Sequence, residues 1–538
     1  MMKPFLYILM ILFVVGVNPL QGQNLPVEQV QVVKNFDARL ADAIKIHVRP
    51  DLPDPDSTTR NYSYNLNAYT LPIEYPAPAI KPVALSTDKL PPGYKGLLKA
   101  GYGYPSSPFA YAGYNFVSND NLNIGLNARH YSVNDSKKLA NRRFAMNDLN
   151  VQGSYFSGQE FAMDGTLDIS VDNYFLYGYD HNTLDLSKEE VKRRFSTVEM
   201  GTNLFNGTNN KANFNYNAGV NFYHHSDNYA AKENGVVLDL GGTVWISKKH
   251  PLRLNLSSDF TGLKDTVKQS LNNFYLQPSF TFHGQSFKIK AGANLTLHED
   301  SYQIFPDIEL AVGLSGNQLI LFAGWDGSLQ KNTFRSLSDY NPFLTSRIYD
   351  INNTKYYNYY GGLKGTFAFL RYEVKGGYKQ TEDFALFKAQ NITPTRFEVL
   401  YDDMNIIYGS GTLQISPFKN LEAALNITKN IFKPNLQNEA WFLPSLISNL
   451  SVTYNAAKDR FNLRGEVYYS GKIQQLNFDE TVSESNVLLD VNVHANYFIS
   501  EKFGVFANIN NMSNLQYRQW LNYPGIGINA MGGFLLRF

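Results

Sequence analysis

From Lys95 to Phe538 the chain repeats one pattern, in which segments of about ten residues alternate apolar and polar side chains and then turn. This period of two constrains the fold more than any other feature. A strand points successive side chains to opposite faces, so each segment has one apolar and one polar face. Phe287, Ile289, Ala291, Ala293, Leu295 and Leu297 share one face, and Lys288, Lys290, Asn294, Thr296 and His298 share the other. Leu489, Val491, Val493, Ala495 and Tyr497 alternate with Asp490, Asn492, His494 and Asn496. Phe461, Leu463, Val467 and Tyr469 alternate with Asn462, Arg464, Glu466 and Tyr468. A soluble sandwich could turn such charges to water. Repetition over so long a stretch is better met by a closed barrel, with a polar lumen inside and lipid outside.

The turns supply an independent test. Short ones fall near Asn119, Gly158, Asn209, Lys249, Gly284, Gly316, Phe369, Phe418, Lys458 and Glu501. Longer connections lie near 134–147, 181–193, 226–233, 332–354, 382–395, 431–442, 471–484 and 514–528. Short periplasmic turns and long outer loops are the habit of bacterial membrane barrels. The expectation is an all-β fold: a transmembrane antiparallel β-barrel of about 22 strands, with about 18–20 as the alternatives.

Composition agrees. Aromatics are 14% of the chain, with 36 Tyr and 37 Phe against 4 Trp. A ring that is apolar at one end and wet at the other suits the bilayer interface. The absence of cysteine excludes a disulfide framework, a thiolate metal site and a lipoprotein anchor cysteine. With 48 basic and 47 acidic residues, the net charge of +1 gives no reason to expect a nucleic-acid partner.

Residues 1–22 read as a signal peptide: Lys3 is the basic start, Phe5 to Val17 is an apolar run too short to span a bilayer, and Gly22 precedes the cut. The expected location is therefore the cell outer membrane. Residues 23–94 contain Pro50, Pro53, Pro55, Pro72, Pro76, Pro78, Pro82, Pro91 and Pro92. Prolines this dense fix φ and remove donors, so the segment is expected to be extended, in the periplasm or inside the lumen. Residues 95–538 are the barrel.

The C-terminal stretch resembles the end of TonB-dependent receptor barrels. Asn511-Met512-Ser513-Asn514-Leu515-Gln516-Tyr517, then Tyr523-Pro524-Gly525, is similar to that family's Asn-Leu-Phe-Asn-x-x-Tyr and Tyr-Pro-x-Pro-Gly-Arg, with Ile526 in place of the Arg. Leu90 to Gly96, His130 with Ser132, and Tyr177 to Asp180 resemble features of shorter receptor-like barrels of Bacteroidetes type. The family carries a folded plug domain, whereas residues 23–94 are too short and too Pro-rich for one. The resemblance implies transport or binding of a solute, and TonB as a partner through a TonB-box-like run at Val27, Val30, Val32 and Val33. The missing plug leaves open a barrel subunit of an assembly or export complex, partnered by a surface lipoprotein or assembly protein.

Further candidates follow from position. Phe534, Leu536 and Phe538 share a face of the last strand and resemble the signal read by the barrel insertion machinery. Lys288, Lys290, Arg464, Glu466, Asp490 and His494 are expected to line the lumen. Trp441, Phe442, Trp520 and Tyr523 are outer-loop contact candidates, with an upper aromatic girdle as the other reading of Trp441 and Phe442. His224 and His225 read as a solvated loop. His130 and Ser132 share a lipid-side face, but a Ser nucleophile needs an orienting third member and the sequence shows none, so they read as a polar strand end. No catalytic, cofactor or metal residue is assigned, and the chain is not read as an enzyme.

Overall fold

The computed structural model describes residues 93–538, apart from 120, 159, 208–212, 300 and 457–459. The signal peptide, nearly all of the Pro-rich segment and the run at Val27, Val30, Val32 and Val33 lie outside the described residues. In chain order the first strands are β1 (Gly96–Tyr104), β2 (Phe109–Asn119), β3 (Leu122–Asn134), β4 (Arg143–Ser157), β5 (Phe161–Phe175), β6 (Lys192–Phe205), β7 (Phe214–Asp227) and β8 (Lys232–Ile246). Next come β9 (His250–Lys264), β10 (Lys268–His283), β11 (Phe287–His298), β12 (Ser301–Ser315) and β13 (Leu319–Asn332), then a short helix α1 (Phe334–Tyr340). β14 (Asn352–Phe367), β15 (Leu370–Ala389), β16 (Phe397–Phe418), β17 (Leu421–Pro434), β18 (Leu446–Ala456) and β19 (Phe461–Ser470) follow. The chain ends with a small hairpin, β20 (Gln474–Leu476) and β21 (Val482–Glu484), and then β22 (Leu488–Phe498), β23 (Phe503–Asn510) and β24 (Asn529–Arg537).

All strands except that hairpin form one antiparallel sheet of 22 strands, and β1 pairs with β24 to close it. Closure satisfies every edge, which a wall facing hydrocarbon requires. The seam is antiparallel from Leu97↔Arg537 to Tyr104↔Ala530, and Phe538 finishes it by exchanging two backbone hydrogen bonds with Gly96, at 2.8 and 3.1 Å. Phe534, Leu536 and Phe538 point away from the bore, with Phe534 61% exposed and stacked on Phe503. The expected alternation holds around the wall: Leu252, Leu254 and Leu256 are exposed on the outer face, while Arg253, Asn255 and Ser257 between them face the bore.

The strand count equals the sequence expectation, and the short turns join the strand pairs that the sequence indicated. Three connections at the long-loop end were not foreseen: 105–108, 265–267 and the β11–β12 turn beginning at Glu299. They are as tight as the turns at the opposite end, so loop length gives no signal there. Strand length also departs from the simple pattern. Spanning a bilayer takes about 9–11 residues, yet β15 and β16 have 20 and 22. Their surplus carries the wall past the membrane and supports what closes the mouth.

Candidate functional site

The loops at that end contain large apolar side chains that water would not tolerate in bulk. Phe334, Leu337, Phe343, Leu344, Ile348 and Ile351, all within 333–351, are buried. They join buried residues of the 176–191, 435–445, 471–487 and 511–528 loops and of β15 and β16 in one hydrophobic core. Burial at about 25 cal/mol per Å² drives this core as it drives any other. Here it forms at the mouth of the bore.

The 333–351 loop crosses that mouth. Thr333 caps α1 in a reciprocal pair with Ser336. The buried Glu233 carboxyl of β8 accepts the Phe334 and Arg335 amides at 2.7 and 3.4 Å, satisfying two donors that the first turn of the helix leaves without an intrahelical partner. Beyond the helix the chain runs extended. The Phe397 amide at the start of β16 donates to Phe343 O at 3.1 Å, and the Thr345 amide donates to Phe397 O at 2.7 Å. On the other side, Arg193 of β6 donates to Leu344 O and pairs with Asp227 of β7 at 3.3 Å. Ser346 also donates to Asp227, whose other oxygen accepts the Tyr229, Ala230 and Ala231 amides at 3.0 Å each. The Arg193 and Asp227 side chains are both 0% exposed. β6 and β16 stand ten places apart in the ring of 22 strands. Residues 343–346 therefore hold nearly opposite walls together. Further along, Gln269 of β10 donates to Ile348 O at 2.6 Å and accepts from the Ile351 amide at 3.0 Å.

Aromatic rings weld the other loops to this strap. Trp520 lies 5.1 Å from Phe397, 5.2 Å from Phe387, 5.3 Å from Phe442 and 5.7 Å from Tyr340. Tyr523 stacks on Phe343 at 3.5 Å, and Tyr177 packs edge-on against both. Each such pair adds about 0.5–1.5 kcal/mol beyond its buried area. Burial pushes the phenols of Tyr177, Tyr340 and Tyr523 above their ordinary range and that of Tyr517 up to about 12, so all stay neutral donors. Tyr523 spends its proton on Thr395 O at 2.5 Å and Tyr177 on Pro524 O at 3.1 Å. Desolvation raises the Asp339 carboxyl on α1. Trp520→Ala removes the hub of this cluster, at a cost of about 3–5 kcal/mol to the loop core. The expected result is lost hydrogen-exchange protection in 333–351 and 511–528 with strand amides unchanged.

The structure relocates several residues named from sequence. Trp441 and Phe442 are 2% and 0% exposed inside the loop core, so they form no girdle at the lipid interface, and Trp520 and Tyr523 are buried with them. The reason is competition: packing against other loops removes more apolar surface from water than an interfacial site would. His224 and His225 lie within β7 and point to opposite faces. His225 is 1% exposed, stacked on Phe195 and bonded to Thr197 and Ser338, which corrects the solvated-loop reading. Lys288 and Lys290 face Glu309 and Asp307 at 3.4 and 2.7 Å across β11 and β12. Arg464 and His494 both meet Glu466, and Asp490 sits opposite Tyr468 on the same face. These are two separate arcs of the bore and not one site. Arg193, Asp227, Glu233 and the strap escaped sequence reasoning. The available signal was Thr333-x-x-Ser336 ahead of apolar residues in what otherwise reads as a loop.

Bore charge is also divided. Asp148, Asp164, Asp168, Asp172, Glu199, Asp239 and Asp259 face inward from β4–β9, with Arg253 among them and Arg129 beside them on β3. Lys288, Lys290, Lys364, Arg371, Lys375 and Lys379 face inward from β11–β15, interspersed with Asp307, Glu309, Asp326 and Glu373.

Solved structures match this architecture. The FrpB iron transporter from Neisseria meningitidis aligns with a TM-score of 0.66 at 10% identity, covering 84% of this chain and 82% of that one. The siderophore receptor PiuA from Acinetobacter baumannii gives 0.63 at 8%, with 84% and 82% covered. The barrel fold is the one that this transporter and this receptor share. The ferripyoverdine receptor of the outer membrane of Pseudomonas aeruginosa gives 0.59 at 13%, covering 84% of this chain and 72% of that one. No family model matches the chain, and neither does any curated protein. At these identities the likeness is one of fold, and it fits an outer-membrane location with the long loops outward.

Proposed function

We propose that this chain is an outer-membrane receptor-like barrel that binds or passes a solute, with its outer mouth closed by the 333–351 strap. One observation carries the reading: a receptor-fold barrel whose bore is crossed by a segment pinned to both β6 and β16. A bore of this width has to be occluded in a living cell, and here the occluding element comes from the outer loops. In this reading residues 1–22 are the removed signal peptide, residues 23–94 lie in the periplasm or lumen, and Val27, Val30, Val32 and Val33 pair with TonB. Phe534, Leu536 and Phe538 are the strand face that the insertion machinery reads, and lipid covers the outer wall.

The loop core also favours a second reading, a non-transporting barrel subunit of an assembly or export complex. Its large aromatics, Trp441, Phe442 and Trp520, are buried against one another and do not face an incoming solute. Planar-bilayer recording separates the two. The wild-type barrel is expected to be silent, and replacing 334–346 by a short Gly-Ser linker is expected to open a steady conductance. Silence in both would overturn the transport reading. Stable partner proteins recovered after gentle extraction would support the second.

A further inference from the structure

On the opposite side of the wall from the bore, three side chains meet in an order with chemical meaning. His130 of β3 is paired across the ladder with Asn147 of β4, and Asn147 with Val171 of β5. The Asn147 side-chain amide donates from Nδ2 to Val171 O at 2.9 Å. That bond turns Oδ1 toward the imidazole, where it sits 2.8 Å from His130 Nδ1. An amide oxygen can only accept, so Nδ1 carries the proton and Nε2 keeps its lone pair. Nε2 lies 3.2 Å from Ser132 Oγ. The third member that the sequence did not show is thus Asn147, delivered by the β3–β4 register.

The geometry points to a lipid-facing Ser–His–Asn hydrolase site, with Ser132 as nucleophile, His130 as base and Asn147 as the positioning residue, acting on acyl esters of membrane lipids. A nucleophile, a base within reach and an orienter that fixes the tautomer are the parts that define such a site on any fold. Placement selects the substrate. Leu122, Ile124, Leu126 and Ala128 share the face of His130 and lie below it, with Leu149 and Tyr155 exposed on β4 beside them. The triad caps this apolar band, so a lipid whose acyl chains lie along the band would bring its ester carbonyls to Ser132. The exposed rings of Tyr102 and Tyr104 stand on the same outer face two strands away.

The step balances without a cofactor. Ser132 Oγ bonds to the carbonyl carbon as its proton passes to His130 Nε2. Collapse of the tetrahedral intermediate breaks the bond to the alcohol oxygen, which takes the proton from Nε2 and leaves. Water then attacks the acyl-serine by the same route, releasing a carboxylic acid and restoring Ser132. The Ser132 and Asn134 amides are already committed to Pro108 O and Ser106 O, so neither is free as an oxyanion donor. A missing donor typically costs about 10²–10³ in rate, so turnover is expected to be slow and trapping to be the more sensitive readout. This site is independent of the receptor reading and stands or falls without it.

The test uses the full folded barrel in an ether detergent, treated with a fluorophosphonate probe and, separately, with mixed micelles of a phosphatidylcholine bearing a fluorescent acyl chain. Expected are a probe adduct on the Ser132 peptide and slow release of fatty acid. Both should vanish in Ser132→Ala and His130→Phe, while heat-modifiable gel migration stays that of the folded barrel. Asn147→Asp, which keeps an oxygen facing Nδ1, should retain labelling that Asn147→Leu loses. A folded wild-type barrel with no Ser132 adduct and no release above Ser132→Ala would overturn the proposal and leave a polar strand end. Equal labelling of Asn147→Leu and wild type would remove Asn147 from it.

Discussion

Asp227→Ala is expected to free the strap from the β6 side of the mouth. The Asp227 carboxylate, its side chain and that of Arg193 both shielded from water, gathers Arg193, the Ser346 hydroxyl and three backbone amides. Removing one partner of a buried ion pair costs about 3–5 kcal/mol, because the other charge is left uncompensated. The stranded Arg193 would have to move to solvent, and Leu344 O would lose its donor with it. The effect should be confined to the cap, since the β1–β24 seam is built from other residues. On intact cells, protease added outside should cleave within 333–351 in the variant and spare the wild type, while the barrel still runs as a folded species. Protection equal to wild type would show that the clasp does not hold the strap. Replacing both charges, Arg193→Met with Asp227→Leu, should recover part of the loss, and the double-mutant cycle reads the coupling.

Gly533→Val should prevent the barrel from closing at all. Gly533 faces Gly101 across the seam. A Cβ there would overlap the Ala100 carbonyl and lie 2.5 Å from Gly101 Cα. Both obstacles are backbone, so no rotamer change relieves them. The strands must part, and each backbone group left unpaired in hydrocarbon costs several kcal/mol. Eight ladder pairs and the terminal Gly96–Phe538 bonds stitch this seam, so a local breach spreads easily. Folding into lipid vesicles, followed by heat-modifiable migration, is expected to give only the unfolded band. Gly409→Ala is the control: nothing lies within 4 Å of a Cβ at that position, and the folded band should persist. Normal folding of Gly533→Val would mean the seam can shift to accept a side chain.

Much of the wall was legible because its rule is local. Whether Lys288 or Ile289 faces lipid follows from the pleat alone, and a wrong register by one residue would turn every apolar side chain inward. The loops were not legible in that way. Trp441 and Phe442 look the same in sequence whether they meet lipid, a ligand or other loops, and the choice rests on partners such as Gln474, Phe397 and Trp520. His225 reads as a loop histidine until β7 is seen to run to Asp227 beside α1. His130 and Ser132 were visible as a pair two residues apart, whereas Asn147 belongs to them only through strand pairing.

By itself the sequence determined the class of fold, a strand count of about 22 with about 18–20 left open, the two faces of the wall and the closing strand that ends on Phe538, because period-two alternation and turn chemistry act within a few residues of one another. Only the tertiary structure decided what shuts the mouth and what gathers on the outer face. Arg193 meets Leu344 across 151 positions of chain, and Tyr523 meets Thr395 across 128. Contacts of that span leave no periodicity behind. They depend on ring closure bringing opposite walls within reach of one loop, and ring closure is a property of the whole sheet.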